Sequence, residues 1–564
     1  MNKRILIISN ARPSRAWNFA NRILREVPGI EICGIVQRSI GSLPWVQQMI
    51  AAGKTRIAHP TPSWAAKAQS LIRFMADKVV DWLLWLVHGS PSPLNNPKRL
   101  TMERLRQECS KAGWPLAIAA QGEEARAVTS ICLSDVSLVI LLGEFSSVPE
   151  LPVHTSNGCI RGRTYKGNNN ANGSSNDVLI HIEQLVAGAG ASFTIFTQVL
   201  PWQPFDGTLG FSLKADLITD DLLLQTAAAL LSGGRGSAST VVSEWANRIL
   251  APSLSRPTGV LPDTFKTARF GKRSRSTWKL CLDSLLLCSP GILCRNWYRR
   301  IVGRYPVLIL AHHLVSDRPH RMGVSTEVFW RQVLFLQKHY RIVNLAESAR
   351  LQRLGQINVP TVVLTFDDGY ADNFLNLRAV ANEVRIPSTL FITTEPVEAR
   401  REFDHDLAAG VRGFFPLTWE QIQYWSSCGT EFGSHTRTHF DCGSTDLETL
   451  RSEIIGSKNE LEAHLKRPVN FFAFPFGKPE NMSAEAKHLA ASAYKHYVST
   501  FGGESLPQVG KLPSHLLRKA FYGNLWELEL QLQSVFDAVD SIKRCLYPQA
   551  IRPPTHSRRL PAVQ

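Results

Sequence analysis

The sequence predicts an α/β protein built as two successive units, and three observations predict it. Residues 1–38 read strand, helix, strand: the apolar ILIIS, the helical WNFANRILREV and the apolar EICGIVQR, the order of a parallel βαβ opening. From residue 304 a second alternation of strands and helices begins, with a period that suits a barrel or a doubly wound sheet. Between them the character changes: residues 251–300 hold 10 basic and 2 acidic residues, half of the chain's net charge of +16. We therefore divide the 564 residues into a unit at 1–250, a basic amphipathic linker at 251–303 and a unit at 304–550.

Taken in order, residues 77–87 (DKVVDWLLWLV) are apolar over about three helical turns, too few for a bilayer span, and read either as a packed helix or as a membrane contact. A strand, VSLVILLG, follows at 136–143, and GNNNANGSSN at 167–176 is a polar loop. DVLIHIEQLVAG reads as helix or strand and ASFTIFTQVLP as a strand, while LLLQTAAALLS at 222–232 predicts a helix ending at Gly233-Gly234. In the linker, the apolar run Leu280–Cys294 is interrupted by Asp283, Pro290 and Gly291 and flanked by Lys272, Arg273, Arg275, Lys279, Arg295, Arg299 and Arg300. It is a poor span. It is either an interfacial segment on an anionic membrane or an amphipathic helix packed between the units. Beyond it, PVLILAHHLV, VPTVVLTFDDGY, STLFITT, TEFGSHTRTH and VNFFAFPFG predict strands or strand ends, separated by the helices VFWRQVLFLQKH, TWEQIQYWSSCG and LETLRSEIIGSKNELEAHL.

Composition narrows the class. At 44% hydrophobic and 20% charged residues the chain can bury real cores. Its basic excess sits in one segment rather than over a folded face, which argues against a nucleic-acid partner. Ten cysteines form no CxxC pair, and the N-terminal apolar run is too short for a secretory signal, so the expectation is a cytoplasmic chain with reduced thiols, peripheral to the inner membrane if the linker binds lipid. No obligate protein partner is inferred.

Four motifs carry chemistry. In TFDDGY (365–370) a buried strand runs into Asp367 and Asp368. Adjacent strand carboxylates point in different directions, so one can bind a metal while the other faces substrate, although Asp-Asp-Gly is also a common turn. In GSHTRTH, His435 and His439 stand at i and i+4 and converge on one ion if the stretch turns as a helix; otherwise they are two surface histidines. One Asp and two His leave an open position for water, as catalytic zinc sites require. The third motif is FFAFPFG, a strand ending at Pro475 and Phe476. The fourth is LPSHLLRK, with His515 and Arg518.

In this order the four motifs resemble the polysaccharide deacetylase family over about residues 304–530. The resemblance implies a distorted (β/α) barrel of seven strands and metal-assisted hydrolysis of an N-acyl group, acetyl or formyl, on an amino sugar or polysaccharide. It implies Asp367 as general base, Asp368, His435 and His439 as ligands of one divalent metal ion, zinc by ligand type, and His515 as general acid. If His515 is instead a surface or capping residue, Asp367 serves as both base and acid. AFPFG stands where the family has Arg-x-Pro-Tyr-Gly, with Ala473 for the Arg and Phe476 for the Tyr. The backbone N–H of Phe476 would still face the oxyanion. ILAHHLV resembles the family's opening strand, with His313 matching its His and His312 in place of a Tyr. Pro475, Phe476 and His313 are thus implied as substrate-binding.

Residues 1–250 resemble the formyltransferase fold in their βαβ start, VSLVILLG and SNGCIRGRTYKG. TYKG matches the end of that family's motif and Asp206 its Asp, but beside Asn157 no His stands at the required offset; His154 would serve only with a rebuilt loop. The expectation is a parallel-sheet domain without transferase activity. The competing readings are a bifunctional sugar N-formyltransferase and deacylase, or a non-catalytic carbohydrate-binding protein.

Overall fold

A computed structural model describes residues 3–39, 102–131 except 121, 135–145, 155–166, 177–185, 192–254 except 204 and 233–236, 289–500, 503–504, 514–520 and 525–536. The stretches expected at 77–87 and 268–288, the loop at 167–176 and His154 lie outside these residues.

The N-terminal unit is one seven-stranded sheet: β1 (Lys3–Ser9), β2 (Ile30–Arg38), β3 (Leu116–Ala119), β4 (Leu138–Leu142), β5 (Cys159–Lys166), β6 (Val178–Leu185) and β7 (Ser192–Leu200), in spatial order β3-β2-β1-β4-β5-β6-β7. Strands β1 to β5 pair in parallel. β5, β6 and β7 pair antiparallel, which corrects the all-parallel expectation. The reason is in the connections: 177 follows 166 too closely for a helical crossover, so the chain turns back as a hairpin. The central strands carry unbroken apolar runs because both faces are covered: Ile5 to Ile8 and Leu138 to Leu142 are fully buried.

The C-terminal unit is a closed barrel of seven parallel strands: β8 (Val307–His312), β9 (Thr361–Phe366), β10 (Thr389–Ile392), β11 (Glu431–Ser434), β12 (Phe471–Ala473), β13 (His496–Ser499) and β14 (His515–Ala520). Closure is explicit, since β8 pairs with β9 (Thr361↔Val307) and with β14 (Arg518↔Ile309). A three-residue strand, Arg341–Val343, adds to β9 outside the ring. Side chains alternate across each strand. Val363, Phe391, Phe471, Ala473, Val498 and Leu516 pack together as one cluster, while Leu364, Phe366, Leu390 and Phe472 join the larger core that spans both units. Gly433 fits that packing because a Cβ there would stand 2.6 Å from the Phe391 ring.

The helices around the barrel and its junction with the sheet include α1 (Pro13–Glu26), α2 (Thr208–Ser232), α3 (Pro290–Val302), α4 (Asp372–Val384) and α5 (Trp419–Ser427). Helix α2 begins earlier than its apolar run suggested. It is apolar nearly all round because it lies between the sheet and the barrel. Its acids meet arginines across the junction. Asp221 accepts from Arg22 of α1 at 2.6 Å and from Arg378 of α4 at 3.0 Å, and Asp220 pairs with Arg15 at 2.6 Å. Lys214 joins Asp206 to Asp317 of the barrel unit, and Gly210 admits that carboxylate: a Cβ would lie 2.7 Å from its oxygen.

Candidate active site

The barrel places its acidic and imidazole groups at the C-terminal ends of its strands, where a (β/α) barrel carries its loops. Asp367 and Asp368 follow β9, His435 follows β11, Pro475 and Phe476 follow β12, and His313 follows β8. Four site residues, Asp368 (φ 69°), Thr436 (φ 64°), His439 (φ 62°) and Phe476 (φ 59°), adopt left-handed backbone. Such strain persists only where surrounding structure fixes it. It also corrects one expectation: His435 and His439 converge through a loop with two left-handed residues, not through a helical turn.

Asp368, His435 and His439 offer donor atoms that all lie within 4.8 Å of one another. Nε2 of each histidine is 3.5 Å from Oδ1 of Asp368. Tetrahedral ligands at about 2.0–2.1 Å from one ion stand about 3.4 Å apart, so the spacing suits a shared divalent cation. The chemistry agrees. Both Asp368 oxygens are buried with no hydrogen-bond partner, and burial, then the charges of Asp367 and Asp406, hold its carboxyl well above the usual range. With no cation beside it such a carboxyl takes up a proton, and a cation bound between it and the two imidazoles would keep it ionised. Burial lowers the pKa of both imidazoles, keeping them neutral as ligands must be. His435 Nδ1 donates to the Ala473 carbonyl at 2.8 Å, which leaves Nε2 as the free donor atom.

Asp367 is held differently. Arg518 reaches it from β14 with two parallel bonds, Nη1 to Oδ1 at 2.6 Å and Nη2 to Oδ2 at 2.9 Å, and also bonds Thr365 Oγ1 at 3.1 Å. Burial pushes the Asp367 pKa up, but the Arg518 charge, with His435 and the hydrogen bonds, brings it below the usual carboxylate value. The group is therefore ionised at neutral pH. Period two along the strands explains the meeting: Val363, Thr365 and Asp367 share one face of β9, as Leu516 and Arg518 share one face of β14.

His515 is a correction. It opens β14, at the N-terminal end of the strand and about 10 Å of rise below Arg518. There its ring stacks on Tyr497 and its Nε2 bonds Ser499 Oγ at 2.6 Å. It does not join the cluster at the other end of the barrel. His313 does: its charge couples to Asp367, His435 and His405, and burial first lowers its pKa to about 4. His312 stacks instead on Phe366 in the core. Phe476 is 51% exposed, with its ring 4.8 Å from that of His439, so it forms the rim, while Pro475 is buried behind it.

Two residues were missed by sequence reasoning. Arg518 stood in a motif with no role attached; its signal was the i+2 relation to an inward-facing Leu516. His405 carried no signal, since it comes from a four-residue helix, Asp404–Leu407, in the connection between β10 and β11. Its Nε2 bonds Tyr370 Oη at 2.9 Å and lies 3.6 Å from Asp368 Oδ2, while Tyr370 Oη donates to Asp406 at 2.7 Å and His320 Nε2 meets the other Asp406 oxygen at 3.1 Å.

Residues 355–495 match the family model described as polysaccharide deacetylase. The chain carries a polysaccharide deacetylase domain. It is similar to YxkH of Bacillus subtilis, which bears the polysaccharide deacetylase name, at 23% identity over 216 residues, covering 37% of this chain and 70% of that protein. Among solved structures it is similar to IcaB from Ammonifex degensii (19% identity, TM-score 0.34, 40% of this chain and 97% of that one). It is also similar to the Streptococcus pyogenes deacetylase PplD in complex with acetate (22%, TM-score 0.34, 41% and 98%). The matched segment of the deacetylase domain holds Asp367, Asp368, His435, His439 and Phe476; Arg518 lies beyond it.

Proposed function

We propose that the deacetylase domain hydrolyses an N-acyl group, acetyl or formyl, on an amino sugar or polysaccharide, with Asp368, His435 and His439 holding one divalent cation, zinc by ligand type. The observation that carries this reading is the convergence of those three donors beside an ionised Asp367 at the loop end of a barrel. When bound, the cation supplies Lewis acidity toward a carbonyl oxygen and lowers the pKa of water. Asp367 takes the proton of the attacking water at a carboxylate oxygen, and Arg518 orients that carboxylate. The Phe476 N–H is the donor assigned to the developing oxyanion. With His515 at the far end of the barrel, Asp367 returns the proton to the leaving amine. Incubation of metal-loaded protein with N-acetylated and N-formylated glycans, with released acid measured, tests the reading. Acetate or formate release that a chelator stops supports it, and no release from any glycan counts against it.

His405 borders the cation site by packing: its ring lies 4.6 Å from that of the ligand His439, and its Nε2, bonded to Tyr370, stands 3.6 Å from Asp368 Oδ2 without a hydrogen bond to it. Outer partners of this kind are worth about 10–100-fold in metal affinity. His405→Ala is therefore expected to weaken zinc binding by that factor in chelator competition; unchanged affinity would show that the ligands are positioned without it.

Residues 1–250 are read as a formyltransferase-like module without transferase chemistry. Asp206, the residue matching that family's Asp, is buried in an ion pair with Lys214, and no His stands beside Asn157. The full chain is expected to form no folate-dependent N-formyl sugar above background. Formylation that survives Asp367→Asn would favour the bifunctional reading.

A further inference from the structure

Helix α3 is built inside out. It is capped by Ser289, whose side chain accepts from the Ile292 N–H, starts with Pro290, and ends at Gly303 with φ 64°. Its polar edge faces the barrel unit: Arg295 donates to the Gln533 carbonyl at 2.9 Å, Asn296 to the Gln533 side chain at 3.0 Å, and Arg299 pairs with Glu504. Its apolar edge faces outward. Leu293, Trp297 and Ile301, at i, i+4 and i+8, are 39%, 64% and 62% exposed, with Tyr298 (62%) and Val302 (41%) beside them. None of the helix's residues is buried. A contiguous apolar stripe of this kind marks an interaction surface.

We propose that α3 docks this protein on an anionic lipid bilayer, lying in the plane of the surface with Leu293, Trp297, Tyr298 and Ile301 in the interfacial layer. Two features select that occupant. Trp297 and Tyr298, both more than 60% exposed on the stripe, are of the two residue types that settle at the headgroup level. The charge is complementary: Arg300 and Arg304 are exposed at the end of the helix, and residues 251–304 contain no acid besides Asp263 and Asp283. At 13 residues the helix is about 20 Å long, enough to lie on a bilayer and too short to cross one. No helix among the described residues is long and apolar enough to cross a membrane.

The test is co-sedimentation of the full chain with phosphatidylglycerol vesicles and with phosphatidylcholine vesicles, at low salt and in 1 M salt. Binding is expected to phosphatidylglycerol at low salt and to weaken at high salt, as the Debye length falls to about 3 Å. Trp297→Ser with Ile301→Ser, both outward-facing, should keep the melting temperature and weaken binding at least about tenfold. Arg300→Gln and Arg304→Gln should each weaken it about fivefold at low salt. Absence of binding, equal binding to both vesicles, or full binding by the Trp297/Ile301 variant would overturn the proposal. So would a dimer in solution that this variant dissociates, since the stripe would then be a contact between two copies.

Discussion

An Asn at position 367 is expected to lower turnover by about 10²–10⁴-fold, the range over which a positioned general base acts. The carboxamide keeps the shape of Asp367 but takes no proton from water. Asp368, His435 and His439, the proposed ligands, are untouched, so affinity for a divalent cation should stay near the parent value. The substitution has a second consequence that only the structure reveals. Arg518, fully buried, loses its counter-charge. Breaking a buried pair by removing one partner costs about 3–5 kcal/mol, so a lower melting temperature accompanies the lost activity. Replacing both residues, Asp367→Asn with Arg518→Met, removes the stranded charge. It should recover part of the stability and none of the turnover. Activity is to be read on protein shown to be folded and metal-loaded; substantial turnover by the single variant would show that another base operates.

The largest effect on stability is expected at Asp221, far from the chemistry. Its carboxylate is fully buried and accepts from Arg22 and Arg378, which come from opposite sides of the junction between sheet and barrel. Asp221→Ala removes the carboxylate that both guanidinium groups share, leaving Arg22 with Glu26 and the buried Arg378 with no other ion pair among the described residues, a loss of about 3–5 kcal/mol. Equilibrium denaturation reads this directly as a lower midpoint. The parent protein should unfold in one transition, because α2 belongs to a core that includes residues of both units. A separate early transition of the N-terminal unit, or an Asp221→Ala midpoint equal to the parent's, would contradict the joint core. Because of this junction, function is to be tested on the full chain rather than on residues 1–250.

Sequence alone determined the elements whose signal is local. The apolar runs of β1, β4, β8 and β9 announced buried strands because both faces of each are covered, and strand–helix alternation announced parallel pairing. It also named Asp367, Asp368, His435 and His439, since a strand end and a short loop keep each pair close in the chain. The tertiary structure decided whatever depends on partners distant in sequence. Arg518 meets Asp367 across 151 residues, and only the closing of β14 onto β8 next to β9 brings them together. The same closure fixes which end of β14 faces the site, and it puts His515 at the wrong one. His405 enters from a four-residue helix in the connection between β10 and β11, whose path no periodicity encodes. Helix α3 shows the limit most plainly: its sequence is amphipathic whichever edge turns inward. Glu504 and Gln533, more than 200 residues later, hold the polar edge and leave the apolar one outside. Local pattern fixes what a segment becomes, and long-range pairing fixes what it faces.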